Sequence, residues 1–317
     1  MSLLVVGSVA LDSVETPFGK VEDALGGTAS YFALAAHHFT DVQIVAVVGE
    51  DFPREYLSVF RRNGIDTEGL QVVPGRTFRW AGRYDYDLNT AHTLDTQLNV
   101  FESFHPTLPR SYRQSDLVFL GNIDPVLQLD VLAQTSPRLS VLDSMNYWIE
   151  WKPRELMRVM EKVDIVLLNE AEVRQFAQSQ NLLTAARRIL ELGPQALIVK
   201  RGEYGAMMVT RDHELFMAPA FPIENVKDPT GAGDSFAGGF LGYLASTNDF
   251  SGTGIRKAMI HGTVIASFTV EDFSVNRLLD VTSEEIRRRY NDLKRLTFFD
   301  HQCKHAEDCD RLEFVWN

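Results

Sequence analysis

A run of nine residues late in the chain combines glycines with an acidic side chain at the predicted start of a helix. The run is Asp228-Pro229-Thr230-Gly231-Ala232-Gly233-Asp234-Ser235-Phe236, and an apolar segment follows it up to residue 244. Free backbone N–H groups and the positive end of the helix dipole can hold a phosphate there, and glycines let the phosphate approach closely. The dipole also favours an ionised Asp234, able to accept a proton beside that phosphate. The run therefore predicts phosphate chemistry with a base; the alternative is a tight turn before an ordinary helix-start acid.

Two other phosphate-binding motifs can be tested directly. A Walker A loop needs a glycine five residues before the glycine of a Gly-Lys pair, and a Ser or Thr directly after the lysine. Around Gly19-Lys20 these two places are occupied by Val14 and Val21. A dinucleotide fingerprint needs a third glycine where Phe236 stands, and it follows the first strand of a domain. Both motifs are excluded.

The elements around this run alternate between apolar strands and helices. Predicted strands span residues 3–9, 43–48, 116–120, 139–143, 164–168 and 196–200, and predicted helices span residues 28–36, 53–63, 153–160, 171–178, 182–192, 233–244, 255–269 and 283–293. Such alternation is typical of a mostly parallel sheet with helices on both faces. Because no long linker or repeat divides the chain, the sequence favours one α/β domain.

Residues 70–101 break this alternation. Their aromatic side chains stand among polar residues and turn signals, and they include Phe78, Trp80, Tyr84 and Tyr86. This composition predicts antiparallel strands outside the main sheet. Period-two geometry predicts one shared face for these aromatics, which would either cover a bound ring or form a dimer interface.

Composition and charge limit the class of protein. Of 317 residues, 45% are hydrophobic and 23% charged, which predicts a folded chain. The net charge of −12 opposes binding to a phosphate backbone, so we expect no nucleic-acid partner. The sequence has no apolar stretch of about 20 residues and no signal-like start, which predicts a cytoplasmic protein without a membrane partner.

The segment 300–317 is predicted to be a polar tail. It contains four side chains of types that bind zinc, namely His301, Cys303, His305 and Cys309. Their spacing matches no familiar zinc module, so a solvated tail is favoured and metal binding is the alternative.

Several further motifs occur in an order and spacing that resemble one family. They are the first strand leading through Gly7 to Asp12, Gly26-Gly27, Val48-Gly49-Glu50-Asp51 with Asn63-Gly64-Ile65-Asp66, Asn169-Glu170-Ala171-Glu172, and Lys200-Arg201-Gly202-Glu203-Tyr204-Gly205. With residues 228–236 they make the sequence similar to the ribokinase-like (PfkB) carbohydrate and nucleoside kinases over nearly the whole chain. The resemblance implies one α/β kinase domain over residues 1–317, with a mostly parallel central sheet flanked by helices. It also implies a small antiparallel β-lid formed by about residues 12–25 and 70–103.

The resemblance implies a role for each matched residue at the reaction centre. Asp234 would take the proton of the acceptor hydroxyl. The backbone N–H groups that would stabilise the transferring phosphoryl group belong to Gly231, Ala232, Gly233 and Asp234. Glu172 would act on Mg²⁺ through water, because Mg²⁺ keeps much of its hydration. ATP and Mg²⁺ are thus the implied cofactors, and activation by a monovalent cation is left open.

The two substrates would occupy separate groups of residues. Those implied to bind the acceptor are Asp12, Gly26, Gly27 and Tyr31. Those implied to bind ATP are Asn169, Lys200, Gly202 and Gly205. The residues alone also allow simpler interpretations, in which Asn169 and Glu172 cap a helix, the two later glycines form a hairpin turn, and Asp12 is a solvated turn acid.

Two departures from the family's pattern concern the acceptor. Tyr31 stands where many members have Asn, so an aromatic ring replaces an amide. In Leu142-Asp143-Ser144-Met145-Asn146 the asparagine of a DPN-like segment is displaced by one position. Recognition of a simple ribose is therefore in question.

The implied activity is transfer of the γ-phosphoryl group of ATP to an alcohol of a sugar. A nucleoside kinase of the inosine-guanosine or adenosine type is the alternative among enzymes, and a non-catalytic nucleotide or sugar sensor is the alternative outside them. The intact Asp234 and its glycines argue against a sensor. The protein partner that the sequence allows is a second copy of the chain, in a homodimer formed through the lid.

Overall fold

The computed structural model describes residues 1–297. The predicted tail lies outside the described residues, and so do His301, Cys303, His305 and Cys309. Within residues 1–297 no helix is both long and apolar enough to cross a bilayer.

The strands form two separate sheets. They are β1 (Leu3–Val6), β2 (Ala10–Thr16), β3 (Gly19–Gly26), β4 (Val42–Gly49), β5 (Ile65–Val73), β6 (Arg79–Tyr84), β7 (Ala91–Gln97), β8 (Leu117–Leu120), β9 (Leu139–Asp143), β10 (Ile165–Asn169), β11 (Ala196–Lys200), β12 (Ala206–Thr210) and β13 (Leu215–Ala218). The larger sheet has nine strands in the order β13-β12-β11-β10-β9-β8-β1-β4-β5. It is parallel from β5 to β11, and β12 and β13 are antiparallel at one edge.

Helices cover both faces of the larger sheet. They are α1 (Thr28–Ala36), α2 (Arg54–Arg62), α3 (Pro125–Gln134), α4 (Asn146–Trp151), α5 (Pro153–Met160), α6 (Glu170–Ala177), α7 (Leu182–Leu190), α8 (Ala232–Thr247), α9 (Gly252–Thr269), α10 (Asn276–Asp280) and α11 (Ser283–Thr297). Alternate strand residues face opposite cores, so Leu3 and Val5 pack with α1, α8 and α9, whereas Leu4 and Val6 pack with α3, α5, α6 and α7. Two buried faces explain the continuous apolar runs of these strands.

Helix α8 lies close against α1. A Cβ on Gly238 would come within 2.4 Å of the Phe32 carbonyl oxygen, so a larger residue would force the two helices apart. This close packing fixes α8, and therefore Asp234 at its start, relative to the elements that follow β1.

The smaller sheet has the order β3-β2-β6-β7. Strand β2 is antiparallel to β3 and parallel to β6, and β6 is antiparallel to β7. Strand β1 ends earlier than predicted, because residues 7–9 carry the chain from the larger sheet into the smaller one. Residues 70–73, predicted to belong to the lid segment, are instead the end of β5 in the larger sheet.

Candidate active site

The segment 228–236 forms a turn and the first turn of α8. Gly231 precedes the helix with φ of 76°, a left-handed conformation that favours glycine. The N–H of Ala232 donates to the Pro229 carbonyl at 3.2 Å, so this predicted phosphate donor is engaged within the turn. Among residues 1–297 no acceptor receives the N–H groups of Gly231, Gly233 and Asp234. Three of the four predicted donors are therefore open to an anion.

Asp234 lies partly buried in the first turn of α8. Burial raises its pKa to about 7, and the negative charge of Asp143 adds to the rise, while Lys200 and the Thr28 hydroxyl oppose it. A carboxylate with a pKa near neutrality is suited to general-base work.

Lys200 and Asp143 form an ion pair beside this turn. They end β11 and β9, the strands on either side of β10, and the Lys200 Nζ lies 2.6 Å from the Asp143 Oδ2. A Cβ on Gly233 would lie 3.2 Å from Nζ, so the ammonium group faces the start of α8. The sequence predicts that Lys200 binds ATP; the structure places its ammonium group beside Gly233, and the contact with ATP stays a prediction. From the sequence alone, Asp143 is only part of a DPN-like segment and has no predicted role in the site. Its position at the end of a predicted parallel strand was a usable signal.

Asn169 and Glu172 form a capping box at the start of α6. The Asn169 side chain accepts from the Glu172 N–H at 2.8 Å, and the Glu172 carboxylate accepts from the Asn169 N–H at 2.7 Å. Burial raises the pKa of Glu172 to about 7, with Lys200 opposing and Asp143 adding to the rise. The helix-cap interpretation is therefore confirmed in geometry, and it places the carboxylate within the charge cluster of Lys200 and Asp143.

Asp12 and the Gly26-Gly27 pair lie on the smaller sheet's side of the site. A Cβ on Gly26 would come within 1.9 Å of the Asp12 Oδ2, and that oxygen accepts the Gly27 N–H at 3.3 Å. Gly27 has φ of 88°, and a Cβ there would lie 2.5 Å from the Ser8 carbonyl oxygen. Asp12 is buried, which raises its pKa to about 7, so it is no solvated turn acid.

Tyr31 lies directly beneath the Gly231 turn. A Cβ on Gly231 would come within 2.3 Å of the Tyr31 ring, so glycine permits this contact. The Tyr31 hydroxyl is buried without a hydrogen-bond partner in the described residues. Burial raises its pKa well above its usual range, and the neighbouring charges of Asp12 and Asp228 act in the same direction.

The face of the smaller sheet that carries Asp12 also carries Trp80 and Tyr84. Asp12 pairs with Trp80 in the neighbouring strand, and alternation places Gly82 and Tyr84 on the same side. The Trp80 ring lies across Gly82, where a Cβ would come within 2.1 Å of it. The predicted aromatic face is therefore present within β6.

At both ends of β6 the prediction of one aromatic face is wrong. Phe78 precedes the strand and stacks on Phe101 with ring centroids 5.2 Å apart. Tyr86 follows the strand, is 81% exposed and lies near Phe18. Period-two geometry holds only inside the strand, and both residues lie outside it.

Gly202 and Gly205 form the connection between β11 and β12. Both have positive φ, and a Cβ on Gly205 would come within 2.0 Å of the Ala218 carbonyl oxygen. The turn interpretation is therefore confirmed, and the proposed contact with ATP stays a prediction. Asn146 starts α4 with an exposed side chain that accepts from the Tyr147 N–H.

The fold and the site are those of a phosphotransferase: a helix start with open backbone N–H groups and a carboxylate whose pKa is about 7 faces a separate small sheet. Residues 3–281 match the profile of the pfkB family carbohydrate kinases, and the chain belongs to that family. The ribokinase-like fold is confirmed, and the protein is a small-molecule kinase with an alcohol acceptor.

Three known proteins illustrate the similarity. The cytidine kinase of Thermococcus kodakarensis is 31% identical over 247 residues, covering 76% of this chain and 87% of the relative. The crystal structure of the Methanocaldococcus jannaschii nucleoside kinase has a TM-score of 0.75 at 22% identity, covering 92% of this chain and 98% of that one. The Burkholderia thailandensis nucleoside kinase in complex with ADP-inosine has a TM-score of 0.74 at 20% identity, covering 96% and 99%.

Proposed function

We propose that the protein phosphorylates a hydroxyl group of a nucleoside, with ATP as the donor. The observation that carries this proposal is the pairing of Asp12 with Trp80 on one face of the smaller sheet. A carboxylate suits a pair of sugar hydroxyls, and an indole suits a planar base. The likeness to a cytidine kinase supports a nucleoside rather than the free sugar that the sequence favoured.

In the proposed reaction Asp234 accepts the proton of the acceptor hydroxyl as that oxygen attacks the γ-phosphorus. The N–H groups of Gly231, Gly233 and Asp234 then stabilise the charge on the transferring group, and Lys200 beside Gly233 adds a positive charge. The bond between the γ-phosphorus and the oxygen that bridges to the β-phosphate breaks, and ADP is the leaving group.

The residues around Lys200 fit a hydrated Mg²⁺ ion. Asp143 pairs with the ammonium group, and the charges of Glu172 and Asp234 act on it as well, yet within residues 1–297 no three potential ligands converge on one point. Mg²⁺ does not require converging protein ligands, because it keeps several waters and is usually bound through one or two carboxylates and the substrate phosphates. When bound with ATP, it would neutralise phosphate charge. Glu172 would hold it through water.

Other assignments stay proposals of the same kind. Asn169, Gly202 and Gly205 would contact ATP, and Gly26 with Gly27 would line the acceptor side. Location in the cytoplasm, a homodimer through the smaller sheet and monovalent-cation activation stay predictions or open questions.

A panel of acceptors tests the proposal. ATP consumption and phosphorylated product would be measured with cytidine, uridine, inosine, guanosine, adenosine, ribose, deoxyribose and fructose. We expect at least one nucleoside to exceed every free sugar about tenfold in kcat/KM, which equals about 1.4 kcal/mol of transition-state binding. A free sugar as the preferred substrate would overturn the proposal.

The pH dependence of kcat/KM should follow the ionisation of Asp234. The base must be deprotonated to act, and burial has raised its pKa to about 7. Activity is therefore expected to rise between about pH 6 and 8 and to level off above. Steady-state rates in buffers of constant ionic strength would measure this, and a flat profile over that interval would contradict it.

Replacing Tyr31 with Phe should raise the KM of the acceptor. The buried hydroxyl lacks a partner in the described residues, and an acceptor oxygen would supply one. We expect KM to rise about tenfold, in line with a hydrogen bond of ~1 kcal/mol or more, while the KM for ATP changes little. The free variant should also be slightly more stable, because it buries no unpaired donor.

Tyr290→Phe on α11 is the matched control, since that ring stacks on His261 far from the site. An unchanged acceptor KM in the Tyr31 variant would show that its hydroxyl does not bind the acceptor.

A further inference from the structure

The smaller sheet touches the body of the protein away from its covalent connections. The Thr16 hydroxyl donates to the Lys227 carbonyl at 2.9 Å. Asn89, beyond the end of β6, has its Oδ1 3.5 Å from the position of a Cβ on Gly202. The Thr230 hydroxyl donates to the Tyr84 hydroxyl at 3.2 Å. This last contact reaches the turn that presents backbone N–H groups to an anion.

Thr230 is held from two sides. Its N–H donates to the Asp228 Oδ1 at 2.9 Å, and its hydroxyl donates to Tyr84 of the smaller sheet. Gly231 follows directly, so a change in the backbone dihedral angles of Thr230 also moves the N–H group of Gly231. The Tyr31 ring supports the turn from below. The turn is thus fixed between one tyrosine of the body and one of the smaller sheet.

Tyr84 shares its face with the groups that would meet the acceptor. Asp12 and Trp80 lie on that face of the same sheet. A ligand that holds Asp12 and Trp80 would also hold Tyr84 against Thr230. Tyr84 is half-buried and its contact with Thr230 is partly buried, so solvent competes less with it than with an exposed hydrogen bond.

We propose that Tyr84 is a positioning residue, whose contact with Thr230 couples closure of the smaller sheet over the acceptor to the arrangement of the phosphate-binding turn. The contact exists without an acceptor, and in consequence the turn is held more firmly when the acceptor side is covered. ATP would then be turned over slowly when water is the sole acceptor. The proposal rests on the assigned phosphotransferase activity and on no particular acceptor.

The test is Tyr84→Phe, which removes the hydroxyl and keeps the ring. The matched control is Tyr86→Phe, two residues later and exposed. The measured quantity is the ratio of ATP turnover with saturating acceptor to turnover without it, using cytidine first and otherwise the best acceptor of the panel. We expect the ratio to fall at least fivefold in Tyr84→Phe and to stay unchanged in the control.

A double-mutant cycle with Thr230→Val identifies the contact itself. If the two hydroxyls act together, the double variant should have a turnover ratio only slightly below that of Thr230→Val alone. Thr230→Ser, which keeps the hydroxyl, should have most of the wild-type ratio. Additive losses, or a native ratio in Tyr84→Phe, would overturn the proposal.

Hydrogen exchange in the free enzyme gives a readout without any acceptor. The amides of residues 230–236 should exchange at least threefold faster in Tyr84→Phe than in the wild type or the Tyr86 control. Unchanged exchange would overturn the proposed link to the turn, even if the acceptor panel had failed. Faster exchange together with a failed panel would count against the nucleoside assignment alone.

Discussion

Replacing Asp234 with Asn is expected to lower kcat by about 10²- to 10⁴-fold, with little change in the KM for ATP. The substitution keeps the size of the side chain and removes the group that accepts the proton. The phosphates would still meet the N–H groups of Gly231, Gly233 and residue 234, because these belong to the backbone. Turnover with the acceptor identified by the panel is the measurement, and a near-native kcat would show that Asp234 is not the base.

The same variant should be more stable than the wild type at about pH 8. In the folded state the pKa of Asp234 is raised to about 7, so the fold favours the neutral acid over the carboxylate. The stability that this preference gives is fully present below the unfolded-state pKa and is lost as the pH rises through 7. Asn removes the buried charge that costs free energy above that pH. We expect Tm to rise by about 2 to 5 °C at pH 8 and by less at pH 5. Asp212→Asn, at an exposed position, is the control for both measurements.

Replacing Asp12 with Asn is expected to lower kcat/KM for the acceptor by about 100-fold. Hydrogen bonds to a charged group contribute ~1.5–3 kcal/mol each, and in the proposed complex the buried carboxylate would accept more than one from the acceptor hydroxyls. Asn offers a single oxygen, which the Gly27 N–H already occupies in the wild-type arrangement. The KM for ATP should stay within about twofold.

Glu15→Gln is the matched control for Asp12, because Glu15 lies on the same strand and is exposed. Kinetics of both variants with the preferred acceptor would measure the effect. An equal loss for the acceptor and for ATP would indicate general damage to the fold rather than loss of a contact with the acceptor.

Local sequence was sufficient for the parts of the site that lie within one segment. The glycines before Asp234, the diglycine after β3 and the cap formed by Asn169 and Glu172 each depend on backbone geometry over a few residues. Such geometry leaves a signature in residue type and spacing, so these elements could be predicted.

Contacts between distant segments could not be predicted in the same way. The ion pair of Lys200 with Asp143, the hydroxyl contact of Tyr84 with Thr230 and the ring of Tyr31 beneath Gly231 each depend on how strands are ordered in the sheets. The end of β5 was assigned to the lid for a related reason. Its alternating pattern suits either sheet, and the choice is made by pairing with β4.

The parallel pairing of β2 with β6 has a consequence for how the chain folds. Strands β2 and β3 form a local hairpin, but β2 meets β6 only after α1, β4, α2 and β5, which lie between them in the chain. Pairings between distant segments form slowly, and until then the hairpin exposes an unpaired edge to other chains. We therefore expect Asp12 and Trp80 to come together in a late step of folding. Substitutions that weaken the smaller sheet should consequently reduce the yield of refolding through aggregation before they lower the Tm of the folded enzyme.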